Sequence, residues 1–232
     1  MKEKIKEWWD RNPCCSINSQ KTGTEFFQEI EDIIYSWHPW IRDYFIGCKD
    51  KKVLEIGCGM GRDLIQFAMN GAIVTGIDIS PNSIRLAEEN FKLNNLKTTL
   101  LIMDAEDLKF PGESFDMVYS YGVLHHTVNT QKGIDEIFRV LKPNGKAIVM
   151  LYNKYSLIRL THPNINKYEG RNKDEKEYCP IVKVFSTNEA RKMFSNFSSI
   201  KITKKFVGRL ESYLPDFIKE RIGWHIIIEG IK

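Results

Sequence analysis

Val53-Leu54-Glu55-Ile56-Gly57-Cys58-Gly59-Met60-Gly61-Arg62-Asp63 decides the fold of this chain. Its opening is a short apolar run that stops at a glycine, so Lys52–Ile56 reads as a strand. Arg62–Met69, halted by Asn70-Gly71, follows as a helix. Three glycines at alternate positions let the backbone turn tightly and come close to a ligand. A dinucleotide fingerprint would place its third glycine at position 62, where Arg62 stands. No Gly-Lys-Ser/Thr follows either, which excludes a phosphate-cradling P-loop. Glu55 would repel phosphate oxygens yet suits an ammonium or a sulfonium. Asp78 lies 21 residues beyond the first glycine, at the end of the next strand. A carboxylate there can accept both ribose hydroxyls. Asp104, ending the third strand, is placed to accept from an exocyclic amine or to orient an adenine edge. Glu55, Asp78 and Asp104 at three successive strand ends describe a site for a cationic amino-acid nucleoside. Asp104, Glu106 and Asp107 could equally form a solvated acidic turn.

Outward from this loop the alternation continues. Ile73–Ile77, Thr99–Met103, Phe115–Ser120 and Ala147–Tyr152 read as strands. Ser80-Pro81, an N-cap followed by a proline at the first helical position, opens one helix, and Ile134, Ile137, Phe138 and Leu141 mark another, ended by Lys142-Pro143-Asn144-Gly145. Short apolar strands alternating with helices imply right-handed crossovers and a parallel sheet covered on both faces. Before it, residues 1–50 form a Trp-rich helical arm: Lys2–Trp9, then Thr24–Phe45 broken near His38-Pro39, with Phe26, Phe27, Ile30, Ile33 and Ile34 as its buried stripe. After it comes a polar, charge-mixed stretch from Asn153 to Tyr178, read as a loop or insert (153–182) beside the ligand edge. Ser186-x-x-Glu189 is a capping box opening a helix to Phe194. Ile200–Val207 and Trp224–Ile228 read as an antiparallel pair of strands. Residues 51–232 are thus expected to be one domain, with the arm as an appendage or lid.

At 232 residues, with 42% hydrophobic and 28% charged side chains, the composition is that of a globular chain. The net charge of +4 does not by itself indicate a nucleic-acid binder. MKEKIKEWWD lacks a signal-peptide apolar core, and no apolar run is long enough to span a bilayer. Five cysteines without framework spacing fit free thiols in a reducing, cytoplasmic setting.

Taken in order, VLEIGCGMGRD, VTGIDIS, MDAEDLKF, SFDMVYSYGVLHHT and RVLKPNGKAIVM make residues 52–152 resemble the class I S-adenosylmethionine-dependent methyltransferases, of the small-molecule type. The resemblance implies an α/β, Rossmann-like, seven-stranded and mostly parallel sheet of order 3-2-1-4-5-7-6. Strand 7 is antiparallel in such sheets, and helices cover both faces. It implies S-adenosyl-L-methionine as cofactor, with Gly57, Gly59 and Gly61 at its methionine end, Asp78 with Ile79 at the ribose, and Asp104 with Ala105 at the adenine. Ser120 and Tyr121 would lie under the sulfonium. Cys58 sits among these cofactor residues and reads as a small filler that tolerates close packing, not a nucleophile. No metal is expected.

The expected reaction is in-line displacement on the sulfonium methyl. The methyl acceptor is less well written. His125 and His126 follow the fourth strand, where a neutral imidazole could take a proton from the attacking group. Either could instead pack under the next helix or brace the loop. Tyr119, Tyr121 and Tyr152, with Trp40 from the arm, are candidate substrate-side groups. Trp8, Trp9, Trp37 and Trp40 could form a water-excluding lid or simply cement the arm to the sheet. The absence of an Asn/Asp-Pro-Pro-Tyr/Phe turn at Ser120-Tyr121-Gly122-Val123 weighs against methylation of base or amide nitrogens. A small or lipid-like acceptor is preferred; the alternatives are RNA or protein, and a non-catalytic scaffold. Methylation of a thiophilic element through Cys14, Cys15 and Cys179 has no spacing to support it. The oligomeric state is not encoded in any readable pattern.

Overall fold

The computed structural model describes residues 1–13, 19–162, 178–206, 208 and 213–232. Cys14 and Cys15, residues 163–177 of the 153–182 insert and Val207 lie outside the described residues. Seven strands form one sheet: β1 (Lys52–Ile56), β2 (Ile73–Asp78), β3 (Thr99–Ile102), β4 (Phe115–Tyr121), β5 (Leu141–Tyr152), β6 (Ser199–Lys205) and β7 (His225–Ile231). Their order is β3-β2-β1-β4-β5-β7-β6. β1 to β5 pair in parallel, and β7 runs antiparallel to both β5 and β6. The expected fold class and strand order are the observed ones.

The helices are α1 (Lys2–Arg11), α2 (Gly23–Trp37), α3 (Arg62–Met69), α4 (Pro81–Leu93), α5 (Thr130–Val140), α6 (Leu157–Thr161), α7 (Thr187–Met193) and α8 (Asp216–Ile222). Ser80 caps α4 by accepting from the Ser83 N–H, and the Ser186–Glu189 capping box opens α7. The arm breaks at His38 as expected: α2 stops at Trp37 and a 3₁₀ helix, Pro39–Phe45, follows. Most strands shift at one or both ends by one to three residues, and the largest difference lies after α5. Lys142-Pro143-Asn144-Gly145 does not separate α5 from β5. Leu141 already pairs with Phe115 of β4, and the register shifts across the corner, where Asn144 takes a left-handed φ of +62°. A single residue that tolerates that conformation lets the chain kink and resume pairing.

Each face of the sheet carries its own core. One joins Ile41, Phe45, Phe67, Tyr119 and Trp224 under the arm; the other joins Leu54, Ile77, Ile137, Phe194 and Ile226 under α5 and α7. The arm is bolted to the sheet by a buried polar knot as well. Asp63, at the start of α3, accepts from the Tyr35 hydroxyl of α2 (2.8 Å), the Tyr119 hydroxyl of β4 (3.0 Å) and the neighbouring Arg62 guanidinium (2.7 and 2.9 Å). Burial alone would raise the Asp63 carboxyl, but the Arg62 charge and these hydrogen bonds hold it below its ordinary range. Among the described residues no helix is long and apolar enough to cross a membrane.

Candidate active site

Parallel strands end together, so the turns after β1, β2, β3 and β4 meet at one edge. The glycine loop leaves β1 there, with Gly57, Gly59 and Gly61 all in left-handed backbone (φ +71°, +54° and +78°). A Cβ at Gly57 would sit 2.3 Å from a methyl of Val123, so only glycine lets the loop press against the β4 end. The Asp78 carboxylate clamps this turn to the next one, accepting from Gly59 N–H and Ser80 N–H, each at 2.9 Å. Burial raises its carboxyl, opposed by those backbone donors. Glu55 is buried, and its Oε2 has no hydrogen-bond partner. Burial, then the nearby charge of Asp63, pushes this carboxyl well up, with Arg62 pulling the other way. Such an orphaned acid is costly unless a cation completes it. Burial also pushes the Cys58 thiol up, which keeps it a packing group.

In front of these turns lies a cavity that opens to solvent. Gly57, Asp78, Ile79, Asp104, Ala105, Tyr121 and His126 of the expected residues line it. Glu55, Cys58, Gly59, Gly61, Ser120, His125, Trp40 and Tyr152 are not among its lining residues. Ser120 donates to the Ile56 carbonyl (3.3 Å), tying β4 to β1. The outer wall is α1, through Lys2, Ile5 and Trp9. Lys2 bridges Asp104 (2.6 Å) and Glu106 (2.9 Å), while Asp10 accepts from the Ser80 hydroxyl and the Asn82 N–H at the start of α4. The acidic turn after β3 is therefore split: Glu106 is buried and also receives the Asn129 N–H, whereas Asp107 is exposed and pairs with Lys109. Among the described residues no group of three or more metal-ligating side chains comes together.

The far end of the cavity is aromatic. His126 faces Trp9 (4.9 Å between centroids), and its Nδ1 lies 2.8 Å from the Ile181 carbonyl. A carbonyl can only accept, so Nδ1 carries the proton and Nε2 keeps the lone pair. Burial, partly offset by that carbonyl, brings the His126 imidazole down to about 4. His125 is enclosed, 3.7 Å from the Tyr152 ring, and burial together with His126 and His225 lowers it well below its ordinary range. Tyr152 in turn stacks on Trp224 at 4.2 Å. Trp40 and His225 both reach the Tyr121 hydroxyl, at 3.3 and 3.0 Å.

Residues 54–149 match the family described as "Methyltransferase domain". Together with the strand order and the glycine loop, that marks the domain. Residues 54–149 are a methyltransferase domain on the class I, S-adenosylmethionine-dependent fold. Over 149 residues it is 34% identical to a sterol 4-C-methyltransferase of Caenorhabditis elegans, covering 63% of this chain and 42% of that protein. Over 109 residues it is 32% identical to a ubiquinone biosynthesis O-methyltransferase of Coxiella burnetii, covering 47% of each. The match thus spans less than half the length of either relative. The PH0226 protein of Pyrococcus horikoshii shares the fold with a TM-score of 0.67 at 23% identity, over 97% of this chain and 98% of that one. The cofactor of such domains is S-adenosyl-L-methionine, and the residues present fit it. The orphaned Glu55 suits its cationic methionine end, the bare Gly57 allows close approach, and the Asp78 carboxylate suits a diol.

Beyond the motifs, the methyltransferase domain uses residues that sequence patterning did not single out. Asp63 knots the arm to the sheet, Lys2 and Glu106 close the mouth, and His225 supports Tyr121.

Proposed function

We propose that the domain transfers a methyl group from S-adenosyl-L-methionine to a small-molecule or lipid-like acceptor that attacks through an ionisable O–H or N–H. The observation that carries this reading is His126: its Nδ1 is committed to the Ile181 carbonyl, so a lone pair on Nε2 remains on a side chain of the cavity wall. Around it the wall is apolar, formed by Ile5, Trp9, Val123 and Val128. Names among the relatives, a sterol methyltransferase and a ubiquinone-biosynthesis O-methyltransferase, support acceptors of that kind.

When bound, the cofactor supplies an electrophilic methyl on a cationic sulfur. Glu55 and the glycines Gly57, Gly59 and Gly61 would hold its methionine end, Asp78 and Ile79 its ribose, Asp104 and Ala105 its adenine, with Ser120 and Tyr121 at the sulfonium end. His126 accepts a hydrogen bond from the attacking group and orients its lone pair. An imidazole near 4 is a weak base, so it suits a phenol-like or enol-like proton better than an alcohol's. His125, held behind it against Tyr152, braces His126 at 4.2 Å between ring centroids. Residues 1–50 act as a lid, α1 excluding water from the mouth while the rest of the arm is anchored through Asp63. Residues 51–232 form the methyltransferase domain, with Trp40 and Tyr152 shaping the acceptor end.

Incubation of metabolite extracts with isotopically labelled methyl donor tests the acceptor class. The expected product is a labelled small apolar molecule, and label found in RNA or protein overturns the reading. With the acceptor in hand, His126→Ala should lower kcat by about a hundredfold; full turnover would remove His126 from the chemistry.

A further inference from the structure

Tyr121 sits at the end of β4 with its hydroxyl held from two sides by elements distant in sequence. The Trp40 indole, in the 3₁₀ helix of the arm, can only donate, so it gives its Nε1–H to the Tyr121 oxygen. Between that hydroxyl and His225 Nδ1 either group could supply the proton. The phenol is the stronger acid of the two and the imidazole nitrogen the stronger base, which favours O–H donation to Nδ1. Burial, reinforced by His38 stacked 4.9 Å away, pushes the His225 imidazole well below its ordinary range, so Nδ1 keeps an open lone pair at neutral pH. Burial likewise pushes the Tyr121 hydroxyl up against the pull of the Trp40 donor, so the phenol keeps its proton. One lone pair is engaged and the proton is given away. A single lone pair is left on a residue that lines the cavity. Donation to His225 also makes that oxygen more electron-rich, because hydrogen bonds in a chain polarise one another.

We propose that His225, acting through Tyr121, is a positioning residue that turns this lone pair to the cavity and gives the site a preference for the cationic sulfonium over the neutral thioether left after transfer. The effect is specificity for substrate over spent product, written by β7 and the arm rather than by the glycine loop. It rests on the cavity being the cofactor site.

Calorimetric titration of S-adenosylmethionine and S-adenosylhomocysteine measures it without any turnover. The wild-type protein should prefer the sulfonium. Tyr121→Phe and His225→Ala should each reduce the ratio of the two affinities by about three- to ten-fold. His225→Asn should keep most of the preference, because its amide oxygen can accept the Tyr121 proton. Adding His225→Ala to Tyr121→Phe should change the ratio no further. Tyr121→Phe keeps the ring and the packing, so it reports even where His225→Ala loses the fold. Both nucleosides binding Tyr121→Phe with the wild-type ratio would overturn the proposal and leave the cofactor reading intact. Neither binding the folded wild-type protein would overturn both.

Discussion

The two halves of the active site are built differently. The half formed at β1, β2 and β3 takes its groups from one stretch between Glu55 and Glu106, each placed by the end of its own strand. The half formed at β4, β5 and β7 is assembled across the chain: Trp40 and Tyr121 are 81 positions apart, Tyr121 and His225 are 104, and His126 and Ile181 are 55. In the first half backbone geometry builds the proposed cradle, through positive-φ glycines and carboxylates clamped by N–H groups. In the second, side chains hold one another, and burial has driven three imidazoles to their neutral forms. A cofactor common to many chemistries needs a fixed cradle, whereas an acceptor needs an adjustable wall.

The sharpest way to break this contrast is Gly57→Ala. Left-handed backbone costs a non-glycine residue about 1–2 kcal/mol. The added Cβ would also meet Val123 at 2.3 Å, a clash worth about 1–3 kcal/mol. The free loop escapes this strain by leaving the cradle conformation and binding must restore it, so cofactor affinity should fall by up to about 2–5 kcal/mol, read by calorimetry, with the aromatic half unmoved. Val123→Ala on that background removes the methyls at 2.3 and 2.7 Å but keeps the Cβ at 3.0 Å, so it should recover most of the steric part and none of the backbone part. Full recovery would mean that the φ of Gly57 does not matter to the cradle.

How readable each half is in the sequence follows from the same difference. Strand–glycine–helix alternation reports Glu55, Gly57, Asp78 and Asp104, because strand ends are local events. Nothing local reports Asp63 as an anchor: its partners Tyr35 and Tyr119 lie 28 and 56 positions away, and each reads as an ordinary core aromatic. Lys2 looks like a solvated lysine of a first helical turn until α1 is folded over the mouth. His125 and His126 are adjacent in sequence and equal as candidates, yet the short 3₁₀ turn Leu124–His126 points one at the cavity wall and the other at Tyr152. Long-range packing, not composition, separates them.

Acid should sharpen the comparison from the aromatic side. His38 and His126 each sit near 4 in the folded protein against about 6.5 when unfolded. Below 6.5 the unfolded chain binds a proton that the fold refuses, so their contribution to stability is intact above 6.5 and is lost as pH falls toward 4. Between pH 7 and pH 5 each should cost about 2 kcal/mol in urea unfolding. Glu55 runs the opposite way, since its carboxyl is raised, so the His126 share is isolated by difference. A His126→Asn protein should lose about 2 kcal/mol less than wild type over that interval. Identical losses would mean that His126 titrates in the fold as it does in the unfolded chain.

The smallest expected effect is at the mouth, where the two halves share a cover. Lys2 is half-exposed, and pairs of that kind contribute about 0.2–1 kcal/mol. Lys2→Met should therefore leave the melting temperature nearly unchanged. As a latch, Lys2 slows opening of α1 in both directions, so its loss should speed cofactor association and dissociation together, by about two- to five-fold, with the dissociation constant little altered. Stopped-flow binding separates this from competition. Lys2 also occupies an Asp104 oxygen proposed for the adenine; if it merely competes there, Lys2→Met would tighten the dissociation constant and leave the off-rate unchanged. The Asp10 contacts to Ser80 and Asn82 hold the other end of the same helix, so Asp10→Ala combined with Lys2→Met should open the mouth further than either change alone.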